Sequence, residues 1–500
     1  MSTPYSTVAG LFGVRPSWIP PNDLERISSY AVYEDMYWNV PDTFKLMQRG
    51  SEDNPLYIPS ARIIIEATNR FLGKDMQVVV DPSFGSEAEQ KQVEAELKRL
   101  FKRENFYTKY ATQRRYGLIR GDALWHVVAD PAKLPGSRLS LYELDPGTYF
   151  PIYDDDNIDK LIGCHIVDQI EMDDKIFLHR QTYRKVEGKI TTERAIFELA
   201  KWDDRFGGEI KKVKQVLPPT FLPDQITQIP VYHIKNTRTP ADPFGSSEMR
   251  GIERVFAAVN QSMSDEELTL ALDGLGVYAT TSGPPVDEDG NEINWRLGPG
   301  RVVEIDGESD FKRVNGVSSI APFMDHVKFI MGMTQQAVGV PDIAAGNVDV
   351  SVAESGIALA LQLSPILAKN AEKEVEMQGV YEQMMYDIVK MWLPAYEGLP
   401  VTQVETNVIF ADPLPVNKEA EVTRIMSLVS NGLLSIRTAH VQLSKLGYDI
   451  PNDEFAAILE EMEAKSIATP DPFMSRVARE MDGADDGSES GQQQQGSTEA

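Results

Sequence analysis

The sequence predicts an α+β fold, and three observations carry that expectation. Residues 322–394 hold two helical patterns on either side of a Gly- and Asp-containing loop, and the remainder of the chain reads as attached to them. The stretch from about 106 to 234 turns from helix into a succession of strand-like runs, the order expected when helices are segregated from an antiparallel sheet. A small β unit around 277–310 sits between two further helical stretches, so it reads as a protrusion carried on two helices.

In chain order, residues up to about Tyr57 are rich in Pro and aromatics, with SYAVYEDMYWNVPDTF as an amphipathic helix of modest length. SARIIIEATNRFL predicts a helix over 60–72 capped by a serine, followed by a short strand at Gln77 to Val80. Residues 87–103 consist of strong helix formers with Val93, Leu97 and Leu100 on one face. A helix from about Phe106 to Ile119 follows, and Gly121 and Asp122 turn the chain into a strand over 123–129. LSLYELDPGTYFPIYDDDNIDKLIGCHIVDQIE reads as strand, Asp-Pro-Gly turn, strand, polar turn and strand. Glu187-Gly188 marks a hairpin, and strands continue to about Ile234. DPFGSSEMRGIERVFAAVNQSM predicts a helix with Ser246 or Ser247 as cap and Met249, Ile252, Val255/Phe256, Val259 and Met263 on one stripe. VYAT is strand-like, and Asp289-Gly290 is a hairpin signal.

In the first helix of 322–394, Phe323, Val327, Ile330, Thr334 and Ala337/Val338 share a face, and the helix stops before Pro341. The second runs from about Val352 to Leu393, with Leu367, Asn370/Ala371, Glu374/Val375, Gln378, Tyr381, Met385, Ile388 and Trp392 along a stripe. If straight it would span about 60 Å. Pro365 predicts a kink near Leu361, or a fresh helix start with Ser364 as cap. After Pro394 come one short strand and about three helices, and the final 30 or so residues are polar and of low complexity, the composition of a disordered tail.

The formal charge of −27 and pI near 4.7 argue against a surface that grips nucleic acid through Lys and Arg. They leave room for a protein that nucleic acid must pass without sticking. Five hundred residues with 42% apolar content can build substantial cores. The single Cys164 permits no intramolecular disulfide and no CxxC site, as suits a reducing compartment. No apolar run is long enough for a bilayer, and the N-terminus lacks the pattern of a signal peptide, so the expectation is a soluble protein made in the cytoplasm.

No phosphate-binding GxxxxGK[ST] loop, HExxH helix or GxSxG elbow is present, and no catalytic, cofactor or metal residues are assigned. The six histidines are scattered. Asp154-Asp155-Asp156 reads as a solvated turn. Asp287-x-Asp289-x-Asn291 opens like a calcium loop, but Glu292 and Gly298 stand where the required Gly and Glu would be. Lys211, Lys212 and Lys214 read as a solvated strand face.

The order of these parts is distinctive. QRRYGLIRGDALWHVVAD, then YELDPGTYFPIYDDD, then DPFGSSEMRGIERVFAAVNQSMSD, and finally VSVAESGIALALQLSPILAKNAEKEVEM follow one another. In this order and spacing the chain resembles the portal proteins of tailed bacteriophages, over roughly residues 25–465. The resemblance implies a homo-oligomeric ring, usually dodecameric, at one capsid vertex, with double-stranded DNA passing its channel during packaging and ejection. It also implies an α+β wing over 1–244, stem helices over 245–275 and 321–340, and a β clip over 276–320. A channel loop would occupy 341–356, a long wing helix 357–397, a helical crown 398–465 and an acidic, Gln-rich tail 466–500. Implied partners are the terminase large subunit, a head-tail adaptor, and major capsid and scaffolding proteins, in the virion after assembly in the host cytoplasm, with no membrane. Channel-loop candidates are Asn347, Asp349, Ser351 and Glu354, and clip interface candidates are Trp295 and Arg296. The loop 341–362 carries no Lys or Arg, which suits a lumen that repels phosphate. Two alternatives stay open: a structural capsid or tail component without a channel, and a carboxylate-metal enzyme in which Asp122, Asp145, Asp154 and Asp156 converge.

Overall fold

The computed structural model describes residues 23–47, 55–154, 156–172, 175–203, 207–240, 242–275, 277–281, 283–284, 290, 292, 311–314, 321–346, 356–414, 418–435, 438–439 and 442–443. The chain divides into two compact units, residues 1–414 and 415–500.

The first unit opens with α1 (Asp23–Tyr37) and the single turn α2 (Pro41–Phe44), where Pro41 presets the first helical φ. Helix α3 (Ser60–Phe71) buries Ala61, Ile64, Ile65, Ala67 and Thr68, the i, i+3, i+4, i+7 face. The expected serine cap is absent: Ser60 is already helical, and Pro59 at the cap position makes no side-chain bond. Strand β1 (Gln77–Val80) comes next. Helix α4 (Glu87–Glu104) has a full capping box, with Ser86 Oγ accepting from the Glu89 amide (3.4 Å) and Glu89 Oε2 from the Ser86 amide (2.8 Å). Acidic residues in its first turn and Lys102 and Arg103 in its last complement the helix dipole.

Asn105, left-handed at φ 51°, ends α4 and passes the chain straight into α5 (Phe106–Arg120). The strands follow in order: β2 (Asp122–Ala129), β3 (Leu139–Leu144), β4 (Tyr149–Asp154), β5 (Asn157–Met172), β6 (Lys175–Val186), β7 (Lys189–Asp203), β8 (Gly207–Phe221) and β9 (Val231–Lys235). They form two antiparallel sheets, β3-β2-β9 and the meander β4-β5-β6-β7-β8. At the β6–β7 turn both Glu187 (φ 50°) and Gly188 (φ 81°) are left-handed, the geometry that a two-residue hairpin matched to strand twist requires. The expected hairpin is therefore in place.

Helix α6 (Glu253–Leu275) starts later than its sequence suggests, because residues 248–252 form turns. Ser247 instead accepts the Met249 amide (3.0 Å) and donates to the Ile119 carbonyl (2.6 Å), tying this turn to the end of α5. Strands β10 (Val277–Thr280) and β11 (Phe311–Val314) pair antiparallel, and α7 (Ala321–Ala337) returns beside α6. Gly339, Val340 and Pro341 then lead into the single turn α8 (Asp342–Ala345).

Helix α9 (Gly356–Asp387) runs unbroken past Pro365, so no new start occurs at Ser364. At about 1.5 Å per residue it is about 48 Å long, and it continues as a π-helical segment over 388–397. Its buried face reads Leu363, Ile366, Asn370, Lys373, Met377, Tyr381, Met384, Met385 and Ile388. The upper half matches the predicted stripe, whereas Ala371, Val375 and Gln378 point outward. Around Tyr381 the core closes as an aromatic box. Trp125 Nε1 donates to the Tyr381 hydroxyl at 3.0 Å, Phe106 and Trp125 have ring centroids 5.1 Å apart, and Tyr110 lies 5.6 Å from Tyr381. Strand β12 (Thr406–Ile409) pairs antiparallel with β1. In the second unit the main described element is α10 (Lys418–Ser430). The other helices expected after 430 and the tail over 466–500 fall largely outside the described residues.

Candidate functional site

The six residues singled out from the resemblance, Asn347, Asp349, Ser351, Glu354, Trp295 and Arg296, lie outside the described residues, as does the Asp289 of the expected hairpin. Their roots are described. The β10–β11 ribbon has Val277 opposite Val314 and Thr280 opposite Phe311, which brings the chain entering and leaving the 281–310 segment side by side. Gly346, left-handed at φ 107°, leads into the 347–355 segment, and α9 resumes at Gly356.

What the fold does bring together are the four motifs quoted above. Gly121 ends α5 at φ 97°, and Gly245 crosses it so closely that a Cβ on Gly245 would overlap the Gly121 carbonyl. A Cβ on Gly121 would sit 2.7 Å from Ser246 C and Ser247 N, so both strands of the crossing need glycine. Asp122, fully buried next to the crossing, accepts from the Gly245 amide (2.7 Å) and the Tyr30 hydroxyl, and His233 Nε2 lies 2.7 Å from its Oδ1. Burial, and then the Asp122 charge, push the Tyr30 hydroxyl well above its usual range, so it stays a proton donor.

The DPGTY turn joins through arginines. Arg26 donates to the Pro146 carbonyl (2.7 Å) and the Tyr149 carbonyl (3.1 Å), with its guanidinium 3.9 Å from the Phe244 ring centre. Arg120 bridges Glu34 (2.7 Å) and Asp145 (3.3 Å). The long helix joins through Glu248, whose carboxylate meets Lys373 Nζ at 2.5 Å, Lys369 Nζ at 2.9 Å and Asn236 Nδ2 at 2.9 Å. Burial raises the Glu248 carboxyl, but the two ammonium groups outweigh it and hold it at about 2. Lys369 also donates to the Val338 carbonyl (2.8 Å) and Thr68 Oγ1 (3.1 Å), so one lysine ties α9 to α3 and to the end of α7.

Chemically this is a lock. Its charges are buried, paired and hydrogen-bonded, the arrangement in which removing one member is costly because its partner is left uncompensated. Sequence reasoning did not single out Glu248, Lys369 or Lys373. A signal existed, since two lysines at i and i+4 repel on a helix unless a carboxylate comes between them.

Helix α6 is fastened to the body by polar side chains one turn apart. Asn260 Oδ1 accepts from the Ile58 amide and Ser264 Oγ from the Leu56 amide, each at 2.8 Å. Its partner α7 is mostly exposed: only Thr334 and Gln335 are buried, while Phe329 is 66% and Met333 54% exposed. Leu270 on α6, and Leu361 and Val375 on α9, are also exposed. Phe323, Val327, Ile330 and Thr334, the predicted stripe, are the better-covered side of α7.

The carboxylates do not converge. Asp122 is taken by Tyr30, His233 and Gly245, Asp145 by Arg120 and the Gly147 amide, and Asp154 by Lys160 and the Asp156 amide. Among the described residues no group of three or more His, Cys, Asp or Glu is placed to hold a metal ion.

No curated protein matches the chain by sequence. Solved structures similar to it include a chain of the virion of a native gene transfer agent particle, 15% identical, covering 88% of this chain and 99% of that one, with a TM-score of 0.42. A chain from the neck of the native particle, computed with C12 symmetry, is 16% identical over 87% of this chain and 99% of that one (TM-score 0.43). One from the neck of the empty particle, computed with C6 symmetry, is 16% identical over 88% and 98% (TM-score 0.41). A family model described as phage portal protein, SPP1 Gp6-like, matches residues 17–467, a span that takes in all four motifs meeting at Asp122 and Glu248. With nearly the whole chain matched and its defining motifs physically joined, the chain belongs to the phage portal protein family.

Proposed function

We propose that the chain is one subunit of a ring, dodecameric in the assembled particle, that sits at one vertex of the capsid and passes double-stranded DNA through its axis. The family itself is structural and non-enzymatic. The observation that carries the ring is the α6–α7 pair, which ends in the β10–β11 ribbon and leaves Leu270, Met324, Phe329 and Met333 exposed on a single chain. Uncovered apolar side chains on a helix pair mark an interaction surface, and head-to-tail contacts that close on themselves cover such side chains in every copy.

On this reading α6 and α7 are stem helices, 276–320 is the clip and 1–244 the wing. Residues 341–356 are the channel loop, 357–397 the wing helix and 398–465 the crown. Asn347, Asp349, Ser351 and Glu354 face the lumen, where carboxylates repel phosphates and let DNA slide. Trp295 and Arg296 lie where the terminase large subunit docks during packaging and a head-tail adaptor replaces it. The wing meets scaffolding and major capsid protein, with assembly in the host cytoplasm and residence in the virion. Sedimentation velocity tests the surface: Phe329→Glu with Met333→Glu should convert a large discrete oligomer to monomer with unchanged circular dichroism. Retention of the oligomer would remove α7 from the interface.

A further inference from the structure

A cleft of about 640 Å³ opens beside α3, between the end of α1 and the α5 residues Arg115 and Tyr116. Trp38, Arg62, Ile63, Glu66, Arg70 and Arg115 line it. Arg62, Glu66 and Arg70 recur every four residues on one helical stripe. Glu66 is taken: it accepts from Arg115 Nε (2.7 Å) and the Tyr37 hydroxyl (2.6 Å). Its two neighbours are not matched in the same way. Arg62 stacks near Trp38 and Tyr37, with its guanidinium carbon 5.7 and 5.8 Å from their ring centres, and has no carboxylate partner among the described residues. Among the described residues Arg70 reaches only the Ala344 carbonyl, at 3.5 Å. Trp38 is 54% exposed and Ile63 38% exposed at the same mouth.

Three arginines against one glutamate make this cleft cationic on a chain whose net charge is −27. Arg62 and Arg70 are eight residues apart on the helix, about 12 Å at 1.5 Å per residue. A single small anion cannot reach both. A nucleic-acid strand carries a charge about every 3.4 Å and would set one against Glu66. An extended peptide advances about 3.3–3.6 Å per residue, so carboxylates three or four residues apart meet both guanidiniums while skipping Glu66. Trp38 and Ile63 then offer an apolar seat for a side chain beside the first carboxylate.

We propose that this cleft is a docking site for an extended acidic segment of a partner protein, with two carboxylates three or four residues apart and an apolar residue next to the first. The contact is made on α3.

The test uses the purified full-length protein and fluorescence anisotropy of a labelled peptide, Gly-Asp-Leu-Ser-Asp-Gly, beside its Asn-for-Asp counterpart and a ten-nucleotide oligo(dT). The expected result is saturable binding of the acidic peptide and none of the counterpart or the oligonucleotide. Arg62→Glu with Arg70→Glu should weaken it about tenfold or more, the effect of losing two charge-assisted contacts. Both side chains are exposed, so this variant keeps its fold, which circular dichroism verifies. The same charge change on the exposed Lys91 and Lys98 of α4 should leave binding as it is. No saturable binding, tighter binding of oligo(dT), or equal weakening by the Lys91 and Lys98 changes would overturn the proposal.

Discussion

Glu248 holds two lysines that would otherwise be buried without a counter-charge. Replacing it with Gln leaves Lys369 and Lys373 uncompensated and should cost about 3–5 kcal/mol, read as a lower midpoint in urea; pairing it with Lys373→Met should recover part of the loss. Its pH dependence has a definite sign. The folded carboxyl is depressed from 4.5 to about 2, so its contribution is fully present above 4.5 and disappears as pH falls toward 2. The buried His126 and His165 act in a higher window. Burial depresses both from 6.5 to about 4, so the unfolded chain takes up protons first and stability drops as pH falls from 6.5 to 4, by up to about 3 kcal/mol for His126 alone. A urea midpoint that stayed level between pH 7 and 5 would contradict this. Gly245→Ala should fail to give folded protein, since its Cβ would overlap the Gly121 carbonyl. The glycines, Asp122 and Glu248 all stand within the quoted motifs, yet their contacts span more than a hundred residues of chain, and spacing alone does not reveal which motif meets which.

Elements governed by local chemistry were legible: α4 from its run of strong helix formers, α5 ending at Gly121, the Glu187-Gly188 hairpin and α7 stopping before Pro341. Elements governed by distant partners were less so. The turns at 248–252 replace helix because Ser247 bonds to α5 instead of capping α6. On α9, Lys373 took a core-facing position that polarity alone would deny it, and Val375 remained 73% exposed, which turned the predicted stripe away from the true one. Tyr381, on the matching half, accepts the Trp125 indole N–H inside the aromatic box. Tyr381→Phe removes that acceptor and should lower stability by about 1–3 kcal/mol with little change in structure, measurable as a shifted urea midpoint at constant slope.

For the whole molecule, the α+β class and the family could be read from residue order, whereas the channel and clip candidates fall outside the described residues. On the proposed function, a net charge of −27 holds copies of the chain apart at low ionic strength, and the proposed ring should form more completely as salt screens like charges. The proposed function stands on closure of this chain with copies of itself around a hole. Negative-stain images of the purified full-length protein test it most directly. Uniform rings with a central opening are expected, and monodisperse particles of single-subunit size across a wide concentration range would contradict the proposed assembly.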